Sequence, residues 1–241
     1  MAFLTKLDAD EQRRLAALFQ KRLEEEGGAL FATIGMVANF IPTFFMVKVA
    51  QETLSPNTVA KIAAYMPVKK AVAAAKSMRM EFLAEVAPYS QPETLVEMIE
   101  ALPDKMLVDI SRILLAKGHY RTLGGFADHL TAKKLKIMID YFKENVIDIL
   151  EIAQCMKNQQ RMIEITESLS DDYLLKLMQG ISQLEYYALA TKLAQKLDIR
   201  RQSRLMIKLD ASDMAKLSHH YPVEVIAQVI KLVDRKEVEL I

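Results

Sequence analysis

Four histidines, one cysteine and a pair of adjacent aspartates are the residues with which this chain could do metal, nucleophilic or acid–base chemistry. His119, His129, His219 and His220 form no H-E-x-x-H, H-x-E or E-x-x-H pattern. The spacings that bring zinc or di-iron ligands onto one helix face are therefore missing. His219 and His220 are neighbours, and on a helix their side chains diverge by about 100°, too far to share one metal ion easily. Cys155 stands in an apolar run with Ile152, Ala153 and Met156 and reads as a small buried hydrophobe rather than a nucleophile. Asp171-Asp172 opens DDYLL without the third acid of a diphosphate-binding magnesium motif. It reads as an acidic helix start, which the helix dipole favours. No G-x-S-x-G, phosphate loop or dinucleotide fingerprint occurs. The expectation is a chain that is not an enzyme and uses no metal or cofactor.

Charge is the feature organised beyond the needs of folding. From 81 to 109, Glu81, Glu85, Glu93, Glu97, Glu100, Asp104 and Asp109 stand against Lys105 alone, a net of −6. From 192 to 208, Lys192, Lys196, Arg200, Arg201, Arg204 and Lys208 stand against Asp198, a net of +5. Charge segregated by sign gives a dipolar surface, suited to a protein partner with an acidic face or to self-association. The competing reading is that helices simply need solvated, charged faces. Five of the six cations recur every four residues, so on one helix they would drift about 40° per step. A break near Leu197–Ile199 would divide them between two neighbouring helices. Little in the local sequence offsets their mutual repulsion. The whole chain carries 32 Lys+Arg against 31 Asp+Glu, which argues against a general nucleic-acid binder.

The elements that position these groups are short helices. The chain has 241 residues and is 51% apolar, enough for a sizeable core, and its seven glycines and seven prolines disfavour turn-rich β architectures. One cysteine excludes an internal disulfide and fits a compartment that is reducing or indifferent to redox; the opening MAFLTKLDAD lacks the pattern of a secretory signal, so a cytoplasmic location is expected.

Five segments share a stripe of apolar residues at x, x+3, x+4 and x+7, with x at Val59, Leu95, Leu135, Leu174 and Met214. That spacing is one face of a two-turn helix. Four residues before x stand Ser55, Thr131, Ser170 and Asp210, each a good N-cap, preceded by Leu54, Leu130, Leu169 and Leu209 at the hydrophobic-staple position. In the second copy Ser90 and Gln91 fill those places and Pro92 implies a shifted cap. A sixth, degenerate copy runs through Ile34, Val37, Ala38, Ile41 and Pro42. Met66, Met98, Met138 and Met178 fall on the repeated faces and read as core filler; a Met-rich groove is the alternative.

The spacing predicts an all-α, right-handed superhelix or solenoid of short helices. It has about five repeats of 36–40 residues, two to three helices each, as in HEAT and armadillo arrays. Residues 1–28 supply an amphipathic capping helix over 8–26, with Leu15, Leu18, Phe19 and Leu23 on one face, and 29–241 the repeat domain. Residues 27–47 carry no charge. They are expected to form two buried helices meeting at Pro42; docking of this segment on a membrane is the alternative.

The rhythm of a Leu-Ser start, an apolar helix and a closing proline, as in LVEMIEALPDKMLVDI, resembles the cytosolic N-terminal domain of MgtE-type magnesium channels and helical modules of flagellar rotor switch proteins. The resemblance covers most of residues 30–240 and rests on leucine and proline placements. It implies a regulatory or scaffold module, and no binding residue is carried over from it.

Overall fold

Side-chain oxygens set the helix starts. In a computed structural model of the chain, which describes residues 27–194 and 197–234, Ser55 Oγ accepts from Thr58 N and Thr131 Oγ1 from Lys134 N. Ser170 Oγ accepts from Tyr173 N, and Asp210 Oδ1 from Asp213 N. Each oxygen occupies an otherwise unpaired backbone donor of the first turn, as the sequence predicts. The copy near 94 differs. Pro92–Thr94 is a 3-10 turn, and the helix behind it starts at Val96 with no side-chain cap.

All described elements are helical, and no strand occurs among the described residues. The chain divides into two compact units, Met1–Leu102 and Pro103–Ile241. The first contains α1 (27–37), a 3-10 turn Ala38–Phe40, α2 Thr43–Glu52, α3 Pro56–Ala63, α4 Val68–Ser77, α5 Met80–Val86 and α6 Val96–Ala101. The second contains α7 Asp104–Ala116, α8 Tyr120–Ala127, α9 Ala132–Phe142, α10 Val146–Cys155 and α11 Gln159–Ser168. It continues with α12 Asp171–Leu184, α13 Tyr187–Ala194, α14 Ile199–Met206, α15 Ala211–Ser218 and α16 Val223–Asp234.

Packing follows a simple rule inside each unit: a helix packs on the next but one. In the first unit α2 meets α4, α4 meets α6, and α3 meets α5. In the second, α7, α9, α11, α13 and α15 form one such series and α8, α10, α12, α14 and α16 the other. Polar ties recur at a near-constant sequence separation, although Asp128–Asn158 and Ser182–Asp213 reach one helix further along the chain. Gln51 to Arg79, Tyr120 to Asp148, Asp128 to Asn158, Asp171 to Arg201 and Ser182 to Asp213 are 28 to 31 residues apart. The apolar copies read from sequence begin on every third helix: α3, α6, α9, α12 and α15. In the second unit α9 and α15 therefore lie in one series and α12 in the other.

The stripes face the core. Val59, Leu95, Ile99, Leu102, Leu135, Phe142, Leu174, Ile181, Leu217 and Tyr221 are buried, and the other stripe positions are half-buried except Met214. In the first unit Val47, Val59, Met78, Phe82 and Val86 form the core; in the second, Leu150, Ile181, Tyr187, Met206 and Leu217 do. Met66, Met98, Met138 and Met178 are half-buried.

One expectation fails. The chain does break at Ile41–Pro42, but the two flanking helices are not mostly buried. Leu30, Ile34, Met36, Val37, Phe40, Phe44 and Phe45 are exposed. The reason is the choice of inward face, since α1 turns its small residues to the core. A Cβ on Gly35 would stand 2.8 Å from the Tyr65 carbonyl oxygen. Among the described residues no helix is long and apolar enough to cross a membrane. The expected capping helix over 8–26 lies outside the described residues.

Candidate interaction surface

The basic segment is split as its sequence break implies. Lys192 lies on α13 and its side chain, like all of Lys196, is outside the described residues. Arg200, Arg201 and Arg204 lie on α14, and Lys208 just beyond it. Asp198 caps α14, its Oδ1 accepting from the backbone N–H of Arg200 and of Arg201 at 2.8 and 3.3 Å. The buried face of α14 carries Gln202, Ser203, Leu205 and Met206.

The cations do not act alike. Arg201 Nε donates to Asp171 Oδ1 at 2.7 Å, and its terminal nitrogens reach the carbonyls of Glu167 and Leu169. Arg204 Nε stands 3.4 Å from Asp171 Oδ2. Local sequence offers only Asp198 to offset these charges, but the fold delivers a second acid from 30 residues upstream. Burial alone would raise the Asp171 pKa. The hydrogen bond and charge of Arg201, joined by Arg204, outweigh it and hold the carboxyl below its ordinary range. Arg200 and Lys208 remain exposed to solvent. Of the sequence candidates, the structure brings Arg201 and Arg204 together on Asp171 and leaves Arg200 and Lys208 facing outward.

The acidic stretch is divided between the two units. Glu81, Glu85, Glu93 and Glu97 are exposed in the first. In the second, Asp109 pairs with Arg112 at 3.2 Å, and Lys134 Nζ lies 3.9 Å from Asp104.

Residues able to do chemistry are scattered. No group of three or more His, Cys, Asp or Glu side chains able to hold a metal ion occurs among the described residues. His220 stacks on Tyr187 with ring centres 5.7 Å apart. Cys155 packs on α8, where a Cβ on Gly124 would come within 2.9 Å of the cysteine Cβ, and burial pushes its thiol pKa up. An apolar cavity of about 50 Å³ in the second unit is lined by Leu150, Leu177, Met178, Gln202 and Tyr221, among others. Gln202 Nε2 donates to the Leu197 carbonyl at 2.8 Å, while its Oε1 has no partner among the described residues. Tyr221 is pushed up to about 12 by burial and stays a neutral phenol.

Comparison with family models, curated proteins and solved structures finds no match to this chain.

Two features escaped sequence reasoning: Asp171 as the anchor of Arg201 and Arg204, and the outward apolar face of α1 and α2. Gly28, Ala32 and Gly35 share one side of 27–37, but only the contact with Tyr65 shows that this side is the packed one. Nothing local signals the first.

Proposed function

We propose that the chain is a non-catalytic protein-interaction module, a scaffold or regulatory element of the cytoplasm built on a right-handed α-solenoid of short helices. The next-but-one packing within each unit supports the solenoid, because in such arrays each helix buries its stripe against neighbours in its own series. The scaffold role is also what the resemblance to channel and rotor helical modules implies. The observation that carries the binding role is the division of labour among the cations of α14. Arg201 and Arg204 are engaged by Asp171, whereas Arg200 and Lys208 project into solvent beside them. Rim cations of this kind steer an acidic partner and set its register.

Affinity capture with the intact chain tests this, using the double reversal Arg200→Glu and Lys208→Glu as the comparison bait. Loss of specific bound proteins from a variant with an unchanged circular dichroism spectrum supports the reading. An identical set of bound proteins on both baits removes the α14 surface from it.

A further inference from the structure

Helix α1 is apolar on all sides, yet only its small side is packed. Gly28 and Gly35 lie against Tyr65, and at Gly35 the Tyr65 backbone leaves no room for a side chain. The outer side carries Leu30 and Met36, 61% and 62% exposed. The surface continues across the break through Phe40, 88% exposed, to Phe44 and Phe45 on α2, 76% and 53% exposed. A soluble surface rarely leaves so many large apolar side chains uncovered together. The patch also holds few polar groups. The Thr33 hydroxyl is turned back onto the Ala29 carbonyl at 2.8 Å. Protein interfaces of ordinary size carry hydrogen bonds throughout, whereas acyl chains require none.

Cations border this patch. Lys48 lies on α2 between Phe44 and Phe45 in helical projection and is exposed. Lys61 Nζ stands 5.6 Å from the centre of the Phe31 ring. Lys70 Nζ donates to the Ile41 carbonyl at 2.6 Å, holding the α1–α2 break, with exposed Lys69 beside it in sequence. From 27 to 80 there are six bases (Lys48, Lys61, Lys69, Lys70, Lys76 and Arg79) against the single acid Glu52. Exposed phenylalanines with a basic rim are the chemistry of an interfacial, non-spanning contact.

We propose that this face of the first unit docks on the surface of an anionic phospholipid bilayer. Phe40, Phe44 and Phe45 enter the boundary between headgroups and acyl chains, and Lys48, Lys61 and Lys69 meet the anionic headgroups. This inference is independent of the α14 surface.

The test is co-sedimentation of the full chain with vesicles of phosphatidylcholine alone or containing about 30% phosphatidylserine, an anionic fraction that attracts basic segments. The wild type should sediment with the anionic vesicles and far less with the neutral ones. The double variant Phe40→Glu and Phe44→Glu should lose binding at least about tenfold, as apolar insertion is removed. Lys48→Glu with Lys69→Glu should weaken it about fivefold or more for each lysine. All these side chains are exposed, and Phe40→Ala serves as a milder second variant should the glutamates disturb folding by circular dichroism. Failure of the wild type to sediment with anionic vesicles at low salt would overturn the proposal, as would undiminished binding by the folded phenylalanine variants. A dimer in sedimentation velocity that Phe40→Glu abolishes, without any vesicle binding, would give the face to a second copy of the chain and also overturn it.

Discussion

Arg201 Nε donates to Asp171 Oδ1 at 2.7 Å, and the same guanidinium reaches the carbonyls of Glu167 and Leu169. One cation thus fills carbonyls at the C-terminal end of α11, where the helix dipole is negative, and holds the first residue of α12. It fastens α14 to the turn between those helices.

Asp171→Asn should therefore destabilise the chain by about 1–2 kcal/mol at pH 7, more than an ordinary surface pair, because the charged hydrogen bonds are partly buried. The sign with pH follows from the depressed carboxyl pKa. Its contribution is present above the ordinary aspartate value of about 4 and is lost as pH falls through the lower folded value. Urea midpoints of wild type and variant should accordingly converge on acidification below about pH 4. A gap that stays constant across that range contradicts the ion pair.

Replacing Ser55, Thr131, Ser170 or Asp210 by Ala should cost about 0.5–2 kcal/mol each, read from urea unfolding. Ser90→Ala, one residue before the place where the second copy lacks a helix cap, should cost less: Ser90 Oγ only donates back to the Val86 carbonyl.

Those caps were legible from sequence because cap and stripe are local relations, three to seven residues long, that no distant contact overrides. The exposed face of α1 was misread for the opposite reason. Composition says that 27–47 is apolar, but which side packs depends on Tyr65, a residue far along the chain. The pairing of Arg201 and Arg204 with one carboxylate was illegible likewise, since Asp171 sits 30 residues away and its nearest sequence neighbours explain it fully as a helix start.

Two buried glycines should respond differently to a methyl group. At Gly124 an added Cβ meets the Cys155 backbone carbon and the Ile152 carbonyl oxygen, both at 3.0 Å, and neither can move without shifting α10. At Gly180 it meets side-chain atoms of Val146 and the buried Leu150, at 2.7 and 2.8 Å, which must shift but can do so without moving backbone. Alanine gains about 1 kcal/mol of helix propensity at either site. Gly124→Ala should nonetheless lose about 1–3 kcal/mol, and Gly180→Ala should lose less. Thermal unfolding of the pair decides the order.

Among the described residues the buried Tyr173 hydroxyl has no hydrogen-bond partner, and its pKa is pushed up to about 12 by burial, with Glu144 and Asp140 adding to the shift. Tyr173→Phe removes an unsatisfied polar group and should leave stability unchanged or raise it by up to about 1 kcal/mol. Because the folded pKa lies above the unfolded value, the wild-type phenol's contribution is intact below about pH 10 and lost as pH rises through about 12. Ultraviolet titration should show Tyr173 among the last tyrosines to ionise; the Phe variant should lose that late step.

Binding of an acidic partner is the role proposed for the solvent-facing cations beside the Asp171 anchor. Its most direct measurement is retention of captured protein on the intact chain as salt rises from about 50 to about 500 mM, a range over which screening shortens several-fold. Steep release is expected from the wild type, and weaker capture with a shallower salt dependence when Arg200 and Lys208 are both reversed to Glu. Salt-independent retention that is equal on both baits would contradict it.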